Sequence, residues 1–154
     1  MGWKRKRKPV DDLVRLYSAR LLALAADIPL TGRLAAPEAS VMRRSPLCGS
    51  QVTVDVTTKD GRIAEFRQDV RACALGQAAA SVVGQVILGR SEPEVRRARD
   101  ELRAMLAAGG PIPAAPFEGL EALMAARDFP NRHASILLSL DATVAALEEI
   151  AAKT

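Results

Sequence analysis

Residues 50–73, SQVTVDVTTKDGRIAEFRQDVRAC, decide the fold class. Val52, Val54 and Val56 alternate with Thr53, Asp55 and Thr57. That two-residue period marks a strand with one buried face. Residues 62–70 alternate again, with Ala64, Phe66 and Val70 on the apolar side. A two-residue Asp60-Gly61 turn would set Val56 against Glu65 and mix the faces. A three-residue Lys59-Asp60-Gly61 loop sets Val56 against Ala64 and Val54 against Phe66, with Gly61 left-handed, and is the expected register. A cysteine lies at each end of this hairpin, Cys48 just before it and Cys73 just after.

Working outward, residues 38–47 read as an extended segment and turn, with Pro46 just ahead of Cys48. Residues 11–27 carry Leu13, Leu16, Leu21 and Leu24 at helical spacing and end at Pro29 and Gly32. Beyond Cys73 the period becomes helical through Leu75, Ala79, Val82 and Val86, as far as Gly89. Ser91-Glu92-Pro93-Glu94 is a capping box for a helix that buries Val95, Ala98, Leu102 and Met105 and stops at Gly109-Gly110-Pro111. A Pro-rich link to Pro116 precedes a short helix at 117–126. Asn131 is the expected N-cap of a last helix carrying Leu137, Leu140, Val144 and Leu147. Helix, antiparallel strands, then helices give an α+β fold, a small antiparallel sheet of about three strands packed against helices. No repeat or domain boundary interrupts residues 11–154, which are expected to form one domain. The Ala-rich stripes suit either core packing or a dimer interface.

The chain has 154 residues, is 49% hydrophobic and carries a net charge of +4. Lys4, Arg5, Lys6, Arg7 and Lys8 account for that charge, and without them acidic and basic residues nearly balance. Residues 1–10 are expected to be a disordered, solvated tail, since a short charge block gives only non-specific affinity for polyanions. Aromatic residues make up only 3%, which leaves little material for stacking nucleic-acid bases. No stretch approaches the roughly 20 apolar residues that span a bilayer. Asp11, Asp12, Arg15 and Arg20 interrupt what would be the apolar part of a signal peptide. A cytoplasmic location is expected, in which two cysteines remain thiols or thiolate ligands.

Conventional catalytic motifs are absent, and there is one histidine. Cys48 sits in the turn Ser45-Pro46-Leu47-Cys48-Gly49-Ser50. Cys73 sits where a strand gives way to a helix, and the free amides and dipole there favour a thiolate. His133 lies in the first turn of the last helix, where the same dipole favours the neutral ring. The three could meet at one end of the sheet and hold zinc, iron or a cluster. A second reading stands beside this one: free cysteines as small buried hydrophobes, and His133 on the edge of the Leu137, Leu140, Val144 stripe.

Tyr17-Ser18, Arg44-Ser45-Pro46-Leu47-Cys48-Gly49, Arg71-Ala72-Cys73-Ala74 and Arg132-His133-Ala134-Ser135-Ile136-Leu137 resemble, in order, the NifU/IscU-like iron–sulfur cluster assembly scaffolds. The resemblance runs over about residues 11–150 and implies a SufE/NifU-like fold. It implies that Cys48 and Cys73 match the family's first two cysteines, and His133 the histidine before the third. It implies a transient 2Fe–2S cluster or a zinc or iron ion as cofactor, with a cysteine desulfurase and apo-protein acceptors as partners. The family's Cys-Gly-Asp is here Cys48-Gly49-Ser50. Its third cysteine falls at Ala134, or at Ser135 when Phe129-Pro130-Asn131-Arg132 is aligned with the zinc-containing branch.

Zinc needs three protein ligands when one position stays open. Cys48, Cys73 and His133 meet that minimum, leaving a position for water, Ser50 or a partner's thiol. A 2Fe–2S cluster needs four ligands, so it would require an external thiol, a second subunit or a serine. The expected function is therefore a scaffold-like protein, not an enzyme, acting as monomer or homodimer without membrane or specific nucleic-acid binding. The alternatives are an adaptor that holds no cluster and a persulfide carrier.

Overall fold

The computed structural model describes residues 16–153. The basic run and the start of the helix expected at 11–27 lie outside the described residues. Helix α1 (Ala19–Ala26) is N-capped by Ser18, whose hydroxyl accepts from the Leu21 N–H at 3.2 Å. Strands β1 (Ala39–Arg44), β2 (Gln51–Lys59) and β3 (Arg62–Arg71) follow and form one antiparallel sheet in the order β1-β2-β3. Then come α2 (Ala74–Val86), α3 (Glu92–Ala108), 3-10 turns over Glu118–Asp128 and Pro130–Arg132, and α4 (His133–Ala152).

The expected hairpin register is corrected. Asp60 and Gly61 have φ of 55° and 75°, so the connection is a two-residue turn of the left-handed type that matches strand twist. Lys59 faces Arg62 and Thr58 faces Ile63, and then Thr57 faces Glu65. Ala64 is the extra residue of a β-bulge. The bulge restores the faces, pairing Val56 with Phe66 and Val54 with Gln68. Ile63 is thus buried, whereas Ala64, expected on the apolar face, is exposed.

The buried face of the sheet packs on α4, whose opposite side is covered by α2 and α3. This is why α4 buries Ile136, Leu138, Ala142 and Ala146 in addition to the expected stripe. In α2, Ala78, Ala79 and Ala80 are all fully buried, so that Ala-rich stripe belongs to the core. The capping box forms as expected, with Glu94 accepting from the Ser91 N–H and hydroxyl, each at 3.1 Å. The expected cap at Asn131 does not form. Asn131 lies inside the Pro130–Arg132 turn, and α4 begins without a side-chain cap. The short helix expected at 117–126 is the 3-10 segment Glu118–Asp128. Among the described residues no helix is long and apolar enough to cross a membrane.

Asp55 alternates onto the outer face yet is fully buried. Arg33 reaches it through Nε at 2.7 Å and Nη2 at 3.1 Å, Ser40 Oγ donates at 2.6 Å and the Leu34 N–H at 2.9 Å. This clasp ties residues 33–34, which follow α1, to the middle of the sheet. Gln68, on the inner face, spends its amide on the Ala80 carbonyl at 2.9 Å and accepts from Ser139 Oγ at 3.1 Å. Both buried polar groups are satisfied, as interior packing requires.

Candidate thiol site at the end of the sheet

The turn between β1 and β2 is closed by Ser45 N–H donating to the Ser50 carbonyl at 2.8 Å and Gly49 N–H to the Ser45 carbonyl at 3.0 Å. Gly49 takes φ 68°, a left-handed conformation that suits glycine. The closed turn holds the Cys48 sulfur 3.1 Å from the buried Ser45 hydroxyl and 3.8 Å from Ser50 Oγ. Leu47, beside it, is 76% exposed.

Cys73 occupies the N-cap position of α2. Its N–H donates to Ser50 Oγ at 3.4 Å, which links the helix start back to the turn that carries Cys48. Its sulfur lies 3.5 Å from Ser135 Oγ, in the first turn of α4. Ser135 Oγ in turn donates to Ser50 Oγ at 2.8 Å. Gly76 makes this approach possible: a Cβ there would lie 2.8 Å from Ser135 Oγ and 2.9 Å from Ala72 Cβ. Three elements distant in sequence therefore converge through two buried hydroxyls, with a thiol on either side.

His133 is oriented differently. Its Nε2 lies 2.8 Å from the Ala126 carbonyl. A carbonyl can only accept, so Nε2 is the donor in this contact. Among the described residues no three His, Cys, Asp or Glu side chains stand together as a group able to hold a metal ion. The structure thus brings Cys48, Cys73 and Ser50 together and adds Ser135, and it does not gather Cys48, Cys73 and His133 as a metal-binding trio. Ala134 is exposed and Ser135 is buried, so it is Ser135 that faces the cysteines. The sequence does contain a signal for this. Ser135, Ser139 and Thr143 recur every fourth residue among the apolar positions of α4 and form one buried polar line.

Burial pushes both thiols up, but their surroundings outweigh it. At Cys48 the hydroxyls of Ser45, Ser50 and Ser135 and the backbone of Ser50 stabilise the thiolate, so its pKa falls below that of an ordinary cysteine. At Cys73 the Ser135 hydroxyl, the Gly76 and Leu75 amides at the helix start and the Arg132 charge do the same. The arrangement offers two thiols of lowered pKa and two hydroxyls at one end of the sheet.

The fold that sets one cysteine in a strand-entry turn and another at a helix start has counterparts among solved structures. The crystal structure of a nitrogen-fixing NifU-like protein (N-terminal part) from Brucella abortus is 38% identical, with a TM-score of 0.90, over 93% of this chain and 99% of that one. The chain belongs to the NifU-like family. A protein assigned as an iron–sulfur cluster assembly scaffold for the SUF system, from the thermophile Fervidobacterium islandicum AW-1, shares the fold at a TM-score of 0.77. It is 18% identical over 87% of this chain and 98% of its own. A hypothetical protein solved at 2.3 Å shares the fold at a TM-score of 0.78, with 21% identity over 88% of this chain and 98% of its own. No protein-family model and no curated protein sequence matches the chain.

Proposed function

We propose that this protein serves iron–sulfur cluster assembly as a scaffold-type carrier. Its cargo is an iron or zinc ion, or a transient 2Fe–2S cluster, taken on Cys48 and Cys73. The observation that carries this reading is the hydroxyl bridge from Ser50 to Ser135, which holds the turn, the start of α2 and the start of α4 together with a thiol on each side. Family membership alongside the Brucella NifU-like protein supports it. The fold shared with the SUF-system scaffold agrees with it.

The donor set fits this cargo in part. Two thiolates suit zinc or iron, whereas serine hydroxyls are harder and weaker donors. His133 stands outside this pair in the structure and would act as a third donor only by turning toward an ion already held on the thiols, its Nε2 now resting on the Ala126 carbonyl. A 2Fe–2S cluster, with four ligands, is then held more weakly than a single ion. The protein works in the cytoplasm as a monomer or homodimer and receives sulfur from a cysteine desulfurase. It passes cargo to apo-proteins and catalyses no turnover of its own.

The test is metal content after oxygen-free purification, for wild type, Cys48→Ala, Cys73→Ala and His133→Ala. Both cysteine variants should lose most of the iron and zinc, and His133→Ala less. Undiminished metal in either cysteine variant would overturn the assignment. Metal-free wild type that still binds a desulfurase would make the protein an adaptor. A second reading, sulfur carriage as a persulfide on Cys48, draws on the lowered pKa of that thiol and the exposed Leu47 beside it. Persulfide labelling confined to Cys48 would favour it.

A further inference from the structure

We infer that Cys48 and Cys73 form a dithiol that a hydroperoxide closes to an intrachain disulfide, with Cys48 attacked first and Cys73 resolving. The bond takes both sulfur donors out of the site and so adds a redox control to the cargo reading above. That consequence rests on the cargo reading, whereas formation of the bond does not.

The first ground is proximity. The Ser135 hydroxyl lies 3.5 Å from the Cys73 sulfur and also hydrogen-bonds the Cys48 sulfur, so one oxygen touches both thiols. The backbone agrees. Cys48 precedes β2 and Cys73 follows β3, and these neighbouring strands are paired to their ends, Gln51 against Arg71. Beyond that last pair the Cys73 N–H still meets Ser50 Oγ at 3.4 Å. Neighbouring strands lie about 4.8 Å apart, and disulfides join residues whose Cα atoms stand roughly 4.4–6.8 Å apart. The chain has no third cysteine to compete for either partner.

The second ground is unequal access. Both cysteines are partly buried, but Cys73 packs against the hydrophobic core at the start of α2, whereas Cys48 sits in a turn beside the 76% exposed Leu47. An oxidant arriving from solvent therefore meets Cys48 first. The Cys48 sulfur attacks one peroxide oxygen, the O–O bond breaks, and an alcohol leaves, or water where the oxidant is hydrogen peroxide. The Cys73 sulfur then attacks the Cys48 sulfur, the S–O bond breaks, and water leaves. The two sulfurs together lose two electrons, the peroxide gains two, and the thiol protons leave in the alcohol and the water.

The test treats the full chain, reduced and stripped of metal with EDTA, with one equivalent of hydrogen peroxide under anaerobic conditions, and reads intact mass and mapped peptides. Wild type should become about 2 Da lighter, refuse iodoacetamide and yield a peptide linking Cys48 to Cys73, all reversed by dithiothreitol. Cys73→Ala should stop at a sulfenic acid on Cys48, trapped by dimedone. Closure slowed by one equivalent of zinc supports both readings. Closure at an unchanged rate supports the inference and counts against metal carriage on these thiols. Sulfinic acid without the linked peptide, links between chains, or dimedone on Cys73 rather than Cys48 in wild type would overturn the inference and leave metal carriage standing.

Discussion

Ser135 Oγ donates to Ser50 Oγ at 2.8 Å across 85 residues of chain. Each of these serines also approaches a cysteine sulfur: Ser50 that of Cys48 at 3.8 Å and Ser135 that of Cys73 at 3.5 Å. The pair thus defines the site more sharply than either cysteine does alone. Ser135→Cys would place a third thiolate beside the other two. It should tighten zinc binding at least roughly tenfold, since groups that merely hydrogen-bond a metal ligand already shift affinity that much. Competition with a zinc indicator measures this.

Gly76 makes room for Ser135. Gly76→Ala forces a Cβ to within 2.8 Å of Ser135 Oγ and 3.1 Å of its carbonyl. Overpacking of this kind costs about 1–3 kcal/mol, a fall in Tm of roughly 3–10 °C. Thermal unfolding checks the stability, and metal content should fall with it because Ser135 is displaced.

The hydroxyls set the reactivity of the thiols. Ser135 is the leading stabiliser of the Cys73 thiolate and a lesser one for Cys48. In a Cys48→Ala background, Ser135→Ala should move the pH midpoint for alkylation of Cys73 upward. The same change in a Cys73→Ala background should move Cys48 less. An equal shift at both, or none, would contradict the hydrogen-bond assignments.

Asp55 makes stability depend on acid. Burial raises its pKa, but Arg33, Ser40 and the Leu34 amide outweigh this and hold the carboxyl below its usual range. A pKa lower in the folded than in the unfolded chain contributes stability that is fully present above roughly pH 4 and is lost as pH falls through the folded value. Asp55→Asn should cost about 1–3 kcal/mol at neutral pH and flatten that acid loss. Urea unfolding at several pH values measures both.

The fold was legible because alternation at Val52, Val54 and Val56 and helical spacing beyond Cys73 are local signals. The hairpin register was not. The Asp60-Gly61 turn and the apolar faces disagree by one residue, and only a bulge at Ala64 reconciles them. Asp55 alternates as if exposed, and its burial depends on Arg33 and Leu34, which a local pattern does not bring near. At the site, Cys48, Cys73 and Ser50 were legible from residue type and position. Which residue of α4 faces them depends on helix phase, and the phase selects Ser135 over Ala134. The orientation of His133 toward Ala126 depends on where the preceding 3-10 segment lies, which spacing does not encode.

Whether the two thiols share one site is tested most directly with phenylarsine oxide, which is retained when two cysteine sulfurs bridge its arsenic. Intact-mass measurement should find one arsenical per wild-type chain, resistant to excess monothiol and lost in both Cys48→Ala and Cys73→Ala. Wild type that retains none, while both cysteines still alkylate, would contradict the account.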